Sequence, residues 1–186
     1  MNPAFTAIYI IWFLSETLLN RLLRSKSTDK QNADKNSLLI IWITVVAAIV
    51  LAVYISIKYY FPIYPNTMIR YIGLGIIFLG IILRIAAVLS LGKYFTVDVT
   101  IREDHKLKKD GLYKYLRHPS YFASLISFIG FGISINTWPG LILIVVSVMT
   151  VFIFRIKIEE KILIGQFGSE YLDYKKSTRG IIPFIY

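Results

Sequence analysis

Two stretches far apart in the chain hold the residue types that chemistry needs. The first is a polar loop, His105-Lys106-Leu107-Lys108-Lys109-Asp110-Gly111-Leu112-Tyr113, that continues through Arg117, His118, Pro119 and Ser120 to Tyr121. Pro119 suits a first helical turn, where its missing N–H is not needed, and the N–H groups beyond it could then face an anion. The second stretch is Arg155, Glu159 and Glu160. Arg155 and Glu159 are four apart, so on one helix they share a face, with Glu160 on the neighbouring one. Singly, each residue has a plain explanation: solvated loop histidines, interfacial tyrosines, an ion pair at a helix end. The spacing of His105 and His118 matches no usual zinc ligand set, and the chain has no cysteine, which excludes disulfides and thiolate metal sites. Glu16 and Arg84 lie inside apolar runs. An interhelical hydrogen bond, a structural ion pair or a snorkelling side chain is their simplest reading, and contact with a substrate is the alternative.

These groups must be positioned by membrane helices. Of the 186 residues 56% are hydrophobic and only 17% charged, against about a quarter charged in soluble domains, and mean hydropathy is +0.62. The apolar residues gather in runs near the roughly 20 that a spanning helix needs. Candidate spans cover about Pro3–Leu23, Ser37–Ile57, Met68–Leu91, Ser120–Ile135 and Gly140–Ile158. The first has no basic n-region and no small-residue cleavage site, so it reads as a span rather than a signal peptide. The fourth rises only about 24 Å, and its tight link Asn136-Thr137-Trp138-Pro139 to the fifth predicts a hairpin. The fold class expected is all-α: a single polytopic domain of about five transmembrane helices. Residues 1–91 would form three N-terminal spans, and 92–186 a region with the polar loop, spans four and five and a C-terminal helix.

The net charge of +10 is a topology signal. Arg21, Arg24, Lys26, Lys30 and Lys35 follow span one; Lys93, Arg102, Lys106, Lys108, Lys109, Lys114 and Arg117 follow span three; Arg155, Lys157, Lys161, Lys175, Lys176 and Arg179 end or follow span five. The other side holds Lys58 and Arg70. The positive-inside rule then places the N-terminus outside and the C-terminus in the cytoplasm, with attraction to anionic membrane lipid rather than to nucleic acid. Gly73, Gly75 and Gly80 lie in an apolar helix with no strand before it, which predicts close helix packing rather than a phosphate loop. The segment Lys157–Lys176 mixes apolar and charged residues. It is expected to continue span five, bend near Gly165 or Gly168 and cover the cytoplasmic surface.

Taken together, Gly111-x-Tyr113-x-x-x-Arg117-His118-Pro119-Ser120-Tyr121, Arg155-x-x-x-Glu159-Glu160, Phe167-Gly168-x-x-Tyr171-x-x-Tyr174 and Ile182-Pro183-Phe184 resemble the isoprenylcysteine carboxyl methyltransferase family. The Arg-His-Pro-Ser-Tyr element is shared more loosely with membrane phospholipid N-methyltransferases. The resemblance covers roughly Gly92 to Tyr186, in the manner of a compact, prokaryote-type member. It implies S-adenosyl-L-methionine as cofactor, bound by His105, Lys106, Leu107, Lys108 and Tyr113, by the turn His118, Pro119, Ser120 and Tyr121, and by Glu159. It implies Arg155 as the substrate-contacting, catalytic position. The chain departs from the family in carrying Lys106, Lys108 and Lys109 where relatives often have a small or apolar run.

The implied reaction is methylation of a C-terminal carboxylate on a prenylcysteine-like lipid that enters from the bilayer. Such a carboxylate is ionised at neutral pH, with a reference pKa of about 3.3–3.7, so no general base is needed. Alternatives are N-methylation of a phospholipid amine, which would want a base to remove a proton, and a non-catalytic membrane module. Oligomeric state is not encoded in any motif.

Overall fold

The computed structural model describes residues 3–22, 37–59, 61–92 and 107–182. The helices are α1 (Pro3–Leu22), α2 (Ser37–Lys58), α3 (Met68–Leu91), α4 (Pro119–Ser134), α5 (Trp138–Phe167) and α6 (Ser169–Ser177), with a 3-10 turn at Gly111–Lys114. One backbone bridge, Leu116 with Arg179, joins the loop before α4 to the segment after α6. Of the five expected spans, α2, α3 and α5 are long and apolar enough to cross a membrane, while the apolar part of α1 ends at Leu19 and α4 has 16 residues.

α5 has 30 residues and rises about 45 Å, more than the roughly 30 Å of bilayer hydrocarbon. Its apolar first part is long enough to span, and that length would leave its last turns, from about Arg155 onward, at and beyond the boundary. The expected bend falls at Gly168, whose φ of +54° suits glycine; Gly165 is passed without a break. The hairpin between α4 and α5 turns on Asn136, φ +54°, a conformation asparagine tolerates. Its Oδ1 accepts from the N–H groups of Ile63 and Tyr64 at 3.0 and 3.1 Å, so the α2–α3 loop and the hairpin meet.

α3 and α4 form the tightest contact, and small residues are the reason. A Cβ placed on Gly73 would meet the Ser134 backbone N at 2.5 Å, one on Gly80 the Ser127 N at 2.7 Å, and one on Gly130 the Ile77 N at 2.6 Å. The backbones therefore touch directly, as small residues permit in membranes. The packing expected for Gly73 and Gly80 is observed, whereas Gly75 has open space around it. α4 also packs on α5, and α5 on α2. α1 rests mainly on α3 and reaches α4 through Trp12, edge-on to Phe128 at 5.0 Å. α1 and α2 share no extensive contact. A seam separates them.

Candidate functional site

Behind that seam lies a cavity of about 1000 Å³. Each neighbouring helix gives it one face. α1 contributes Phe5, Tyr9, Trp12 and Glu16; α2 contributes Leu38, Ile41, Val45, Ile49 and Val53; α4 contributes Ser120, Ser124, Phe128, Phe131 and Ser134. These are i, i+3 and i+4 spacings, so the wall follows each helix for several turns. From Ser120 to Ser134 α4 rises about 21 Å. The middle is apolar and aromatic. The end next to the N-terminus of α4 is a polar mouth.

The two remote sequence stretches meet at this mouth. Tyr113, His118, Ser120 and Tyr121 line it from the loop and α4, and Arg155 and Glu159 from α5. Leu107 and Lys108 also border it. Pro119 opens α4 and is buried rather than lining the cavity. His105 and Lys106 lie outside the described residues, as do the loop Ser25–Asn36 and the Pro183-Phe184 end of the last motif.

His118 is 4% exposed. Its Nδ1 is 3.8 Å from Glu159 Oε2 and its Nε2 is 3.4 Å from Glu160 Oε1. Glu160 is the organising anion: Arg117 Nε donates to its Oε1 at 2.8 Å and Lys175 Nζ to its Oε2 at 2.6 Å. Arg117 Nη1 also donates to the Thr178 carbonyl at 2.6 Å. The backbone repeats the connection, with Arg117 N–H donating to Arg179 O at 2.8 Å and His118 N–H to Gly180 O at 3.1 Å. The segment after α6 is thus stitched to the turn that opens α4. Sequence reasoning gave Glu160 and Arg117 no role, although both sit inside the quoted motifs.

Arg155 is 1% exposed and donates to Ser37 Oγ at the start of α2. Its guanidinium also lies within hydrogen-bonding reach of the Tyr121 phenol. Glu159 is the more open carboxylate, with its side chain 31% exposed. The N–H groups after Pro119, expected to face an anion, are engaged at two positions: those of Tyr121 and Phe122 both donate to the His118 carbonyl, at 3.1 and 3.2 Å. The lysines that depart from the family pattern serve the loop, Lys108 pairing with Asp110 and Lys109 with Glu170 of α6, each at 2.8 Å.

α6 covers the mouth. Tyr171 and Tyr174 are buried and line the cavity, edge-on to each other at 6.0 Å. Tyr174 Oη donates to the Tyr113 carbonyl at 2.5 Å, and Tyr171 Oη is buried with no hydrogen-bond partner among the described residues. Burial pushes the Tyr113 phenol up from its ordinary pKa, and the charge of Glu159 adds to this. Burial, then Glu160 and Glu159, do the same to Tyr171. Both remain protonated donors. Tyr174→Phe is expected to lower stability in detergent by about 1 kcal/mol, the usual worth of one such bond, and denaturant unfolding measures it.

Helices of these lengths and this apolar composition, walling a cavity with a charged mouth, define an integral membrane protein of the all-helical class. Residues 68–170 match the phospholipid methyltransferase family over more than half of the chain, and the chain belongs to that family. Among curated relatives it is 37% identical over 115 residues to protein-S-isoprenylcysteine O-methyltransferase B of Arabidopsis thaliana, covering 61% of this chain and 58% of that protein. It is 35% identical over 143 residues to protein-S-isoprenylcysteine O-methyltransferase of Dictyostelium discoideum, covering 69% and 55%. The chain thus spans little more than half the length of these relatives. The solved eukaryotic intramembrane Ras methyltransferase, isoprenylcysteine carboxyl methyltransferase, shares the fold: TM-score 0.66 at 24% identity, over 100% of this chain and 69% of that one. The resemblance read from the motifs is borne out by these relatives.

Proposed function

We propose that the chain transfers a methyl group from S-adenosyl-L-methionine to the carboxylate of a prenylcysteine-like lipid at the cytoplasmic face of the membrane, its N-terminus outside. The observation that carries this reading is one continuous cavity that joins a mouth of opposed charges to an apolar slot along α1, α2 and α4. The relatives' names point to the same acceptor class.

The residues at the mouth fit the methyl donor. Glu159 offers an accessible carboxylate to hydroxyl or amino groups, Tyr171 a buried O–H with no partner among the described residues, and Tyr113 and Tyr174 aromatic surface. When bound, S-adenosyl-L-methionine supplies an electrophilic methyl: the carboxylate forms the new O–C bond, the C–S bond breaks towards sulfur, and anion plus sulfonium become neutral ester plus neutral thioether. The protein's part is positioning and exclusion of water. Arg155, fixed by Ser37 and Tyr121, orients the carboxylate with a guanidinium fork suited to its geometry. His118, held between Glu159 and Glu160, keeps Glu159 aimed at the donor. The hydrocarbon enters through the seam between α1 and α2. The guanidiniums of Arg155 and Arg84 both line the cavity, which favours an anionic acceptor over an ammonium.

The test is transfer of labelled methyl to N-acetyl-S-farnesylcysteine by purified protein, with donor binding measured separately. Arg155→Ala is expected to lower kcat/KM at least tenfold while donor affinity stays within twofold. Glu159→Ala is expected to weaken donor binding at least tenfold. Label appearing instead on a phospholipid amine would replace the carboxylate reading with the amine one.

A further inference from the structure

Methyl transfer as described uses one guanidinium, Arg155, and Arg117 is bound to Glu160; a third, Arg84, lines the same cavity and holds a carboxylate of its own. Arg84 stands on α3, seven residues before its end at Leu91. Its Nη2 donates to Glu16 Oε2 at 3.2 Å, and its Nε lies 3.2 Å from Glu16 Oε1 without a hydrogen bond to it. Nη1 donates to the Ser120 carbonyl at 3.1 Å and to Ser120 Oγ, inside the turn that opens α4. Ser124 Oγ donates to Glu16 Oε1 at 3.4 Å. All four residues line the cavity, and the Arg84 and Glu16 side chains keep 15% and 20% exposure. Ser120 adjoins Tyr121 in that turn, and Tyr121, Arg155 and Glu159 line the same cavity, so the pair belongs to the same mouth. Glu16 also rides on α1, the most lightly packed of the long helices.

We infer that Glu16 is an internal stand-in for the acceptor's carboxylate, holding Arg84 until an acid arrives and reclaiming it once the acid has become an ester. This rests on the carboxylate-methylation reading of the same site. A guanidinium at membrane depth is costly unless it is paired. An incoming acid offers the group that Glu16 already presents, so exchanging one carboxylate for the other keeps Arg84 paired. Ser124 remains as a donor for the displaced Glu16. Methylation abolishes the acceptor's charge, and a neutral ester competes poorly with Glu16 for the fork. Glu16 therefore sets the discrimination between acid substrate and ester product, and it drives product off. Arg84 is a substrate-binding residue in this scheme.

The experiment measures binding of N-acetyl-S-farnesylcysteine and of its methyl ester to the protein in detergent, with KM, kcat and inhibition by the ester. The wild-type protein is expected to bind the acid at least tenfold more tightly than the ester. Glu16→Gln is expected to lower the acid's KM three- to tenfold and to strengthen ester inhibition by a similar factor. Arg84→Gln is expected to raise the acid's KM tenfold or more, with donor affinity unchanged within twofold. Glu16→Asp, which keeps the charge but shortens its reach, should fall between wild type and Glu16→Gln. If Glu16→Gln raises KM in step with Arg84→Gln, the pair is a brace and the stand-in role is overturned. Should the variants fail to fold, equal affinity of the wild-type protein for acid and ester overturns it without them. A wild-type protein that makes no ester and labels an amine instead overturns the function reading, a result distinct from ester formation with contrary Glu16 behaviour.

Discussion

Glu160→Ala is expected to dismantle the mouth, lowering stability by about 3–5 kcal/mol and donor binding beyond detection. The magnitude follows from what the carboxylate leaves behind. Arg117 and Glu160 are each only 10% exposed at the side chain, and removing one partner of a buried pair strands the other charge away from water. Three elements lose their common anchor together: the turn before α4 through Arg117 and His118, α6 through Lys175, and the segment after α6 through the Thr178 carbonyl. Chemical denaturation in detergent gives the stability change, and titration with S-adenosyl-L-methionine gives the binding change. Glu160→Gln should retain part of both, because an amide oxygen still accepts from Arg117. A Glu160→Ala protein with near wild-type stability would mean that the backbone pairing of residues 117–118 with 179–180 suffices to close the mouth.

Gly130→Leu is expected to separate α3 from α4 and abolish methyl transfer. Even a Cβ at this position would lie 2.6 Å from the Ile77 N and 2.8 Å from the Gly73 carbonyl oxygen. Those are backbone atoms, so relief requires a helix to move rather than a side chain to turn. Overpacking of a well-fitted core costs about 1–3 kcal/mol, sometimes more, and here the whole of α4 would shift. Ser120 would move with it, away from Arg84, and His118 away from Glu160. The expected readout is a fall in the detergent melting temperature together with loss of activity. Gly75→Leu is the matched control: the site is open, so stability should hold.

The helices were legible because their signal is local. Runs of apolar residues gave α2 and α3 almost to the residue, and Pro119 and Asn136 punctuated α4 where expected. The crossing status of α1 and α4 was less legible, since short apolar runs look alike whether they span or pack. At the site, the motifs brought His118, Ser120, Tyr121, Arg155 and Glu159 to one cavity, as their shared order implied. The partners stayed hidden. Glu160 meets Arg117 across 43 residues, Arg84 meets Glu16 across 68, and Arg155 meets Ser37 across 118. None of these separations is a helical repeat, so spacing could not reveal them. Glu160 had appeared only as a neighbour of Glu159 on an adjacent face; its importance comes from two cations, Arg117 and Lys175, and the His118 ring converging on it from outside its own helix.

On the proposed function, entry of the acceptor between α1 and α2 alters the unit in which that acceptor is counted. A lipid reaching the mouth sideways is supplied according to its share of the surrounding leaflet rather than its amount per litre, so diluting the bilayer with inert lipid starves the reaction even when the total acceptor in the tube is unchanged. Turnover then reports on membrane composition as much as on the protein.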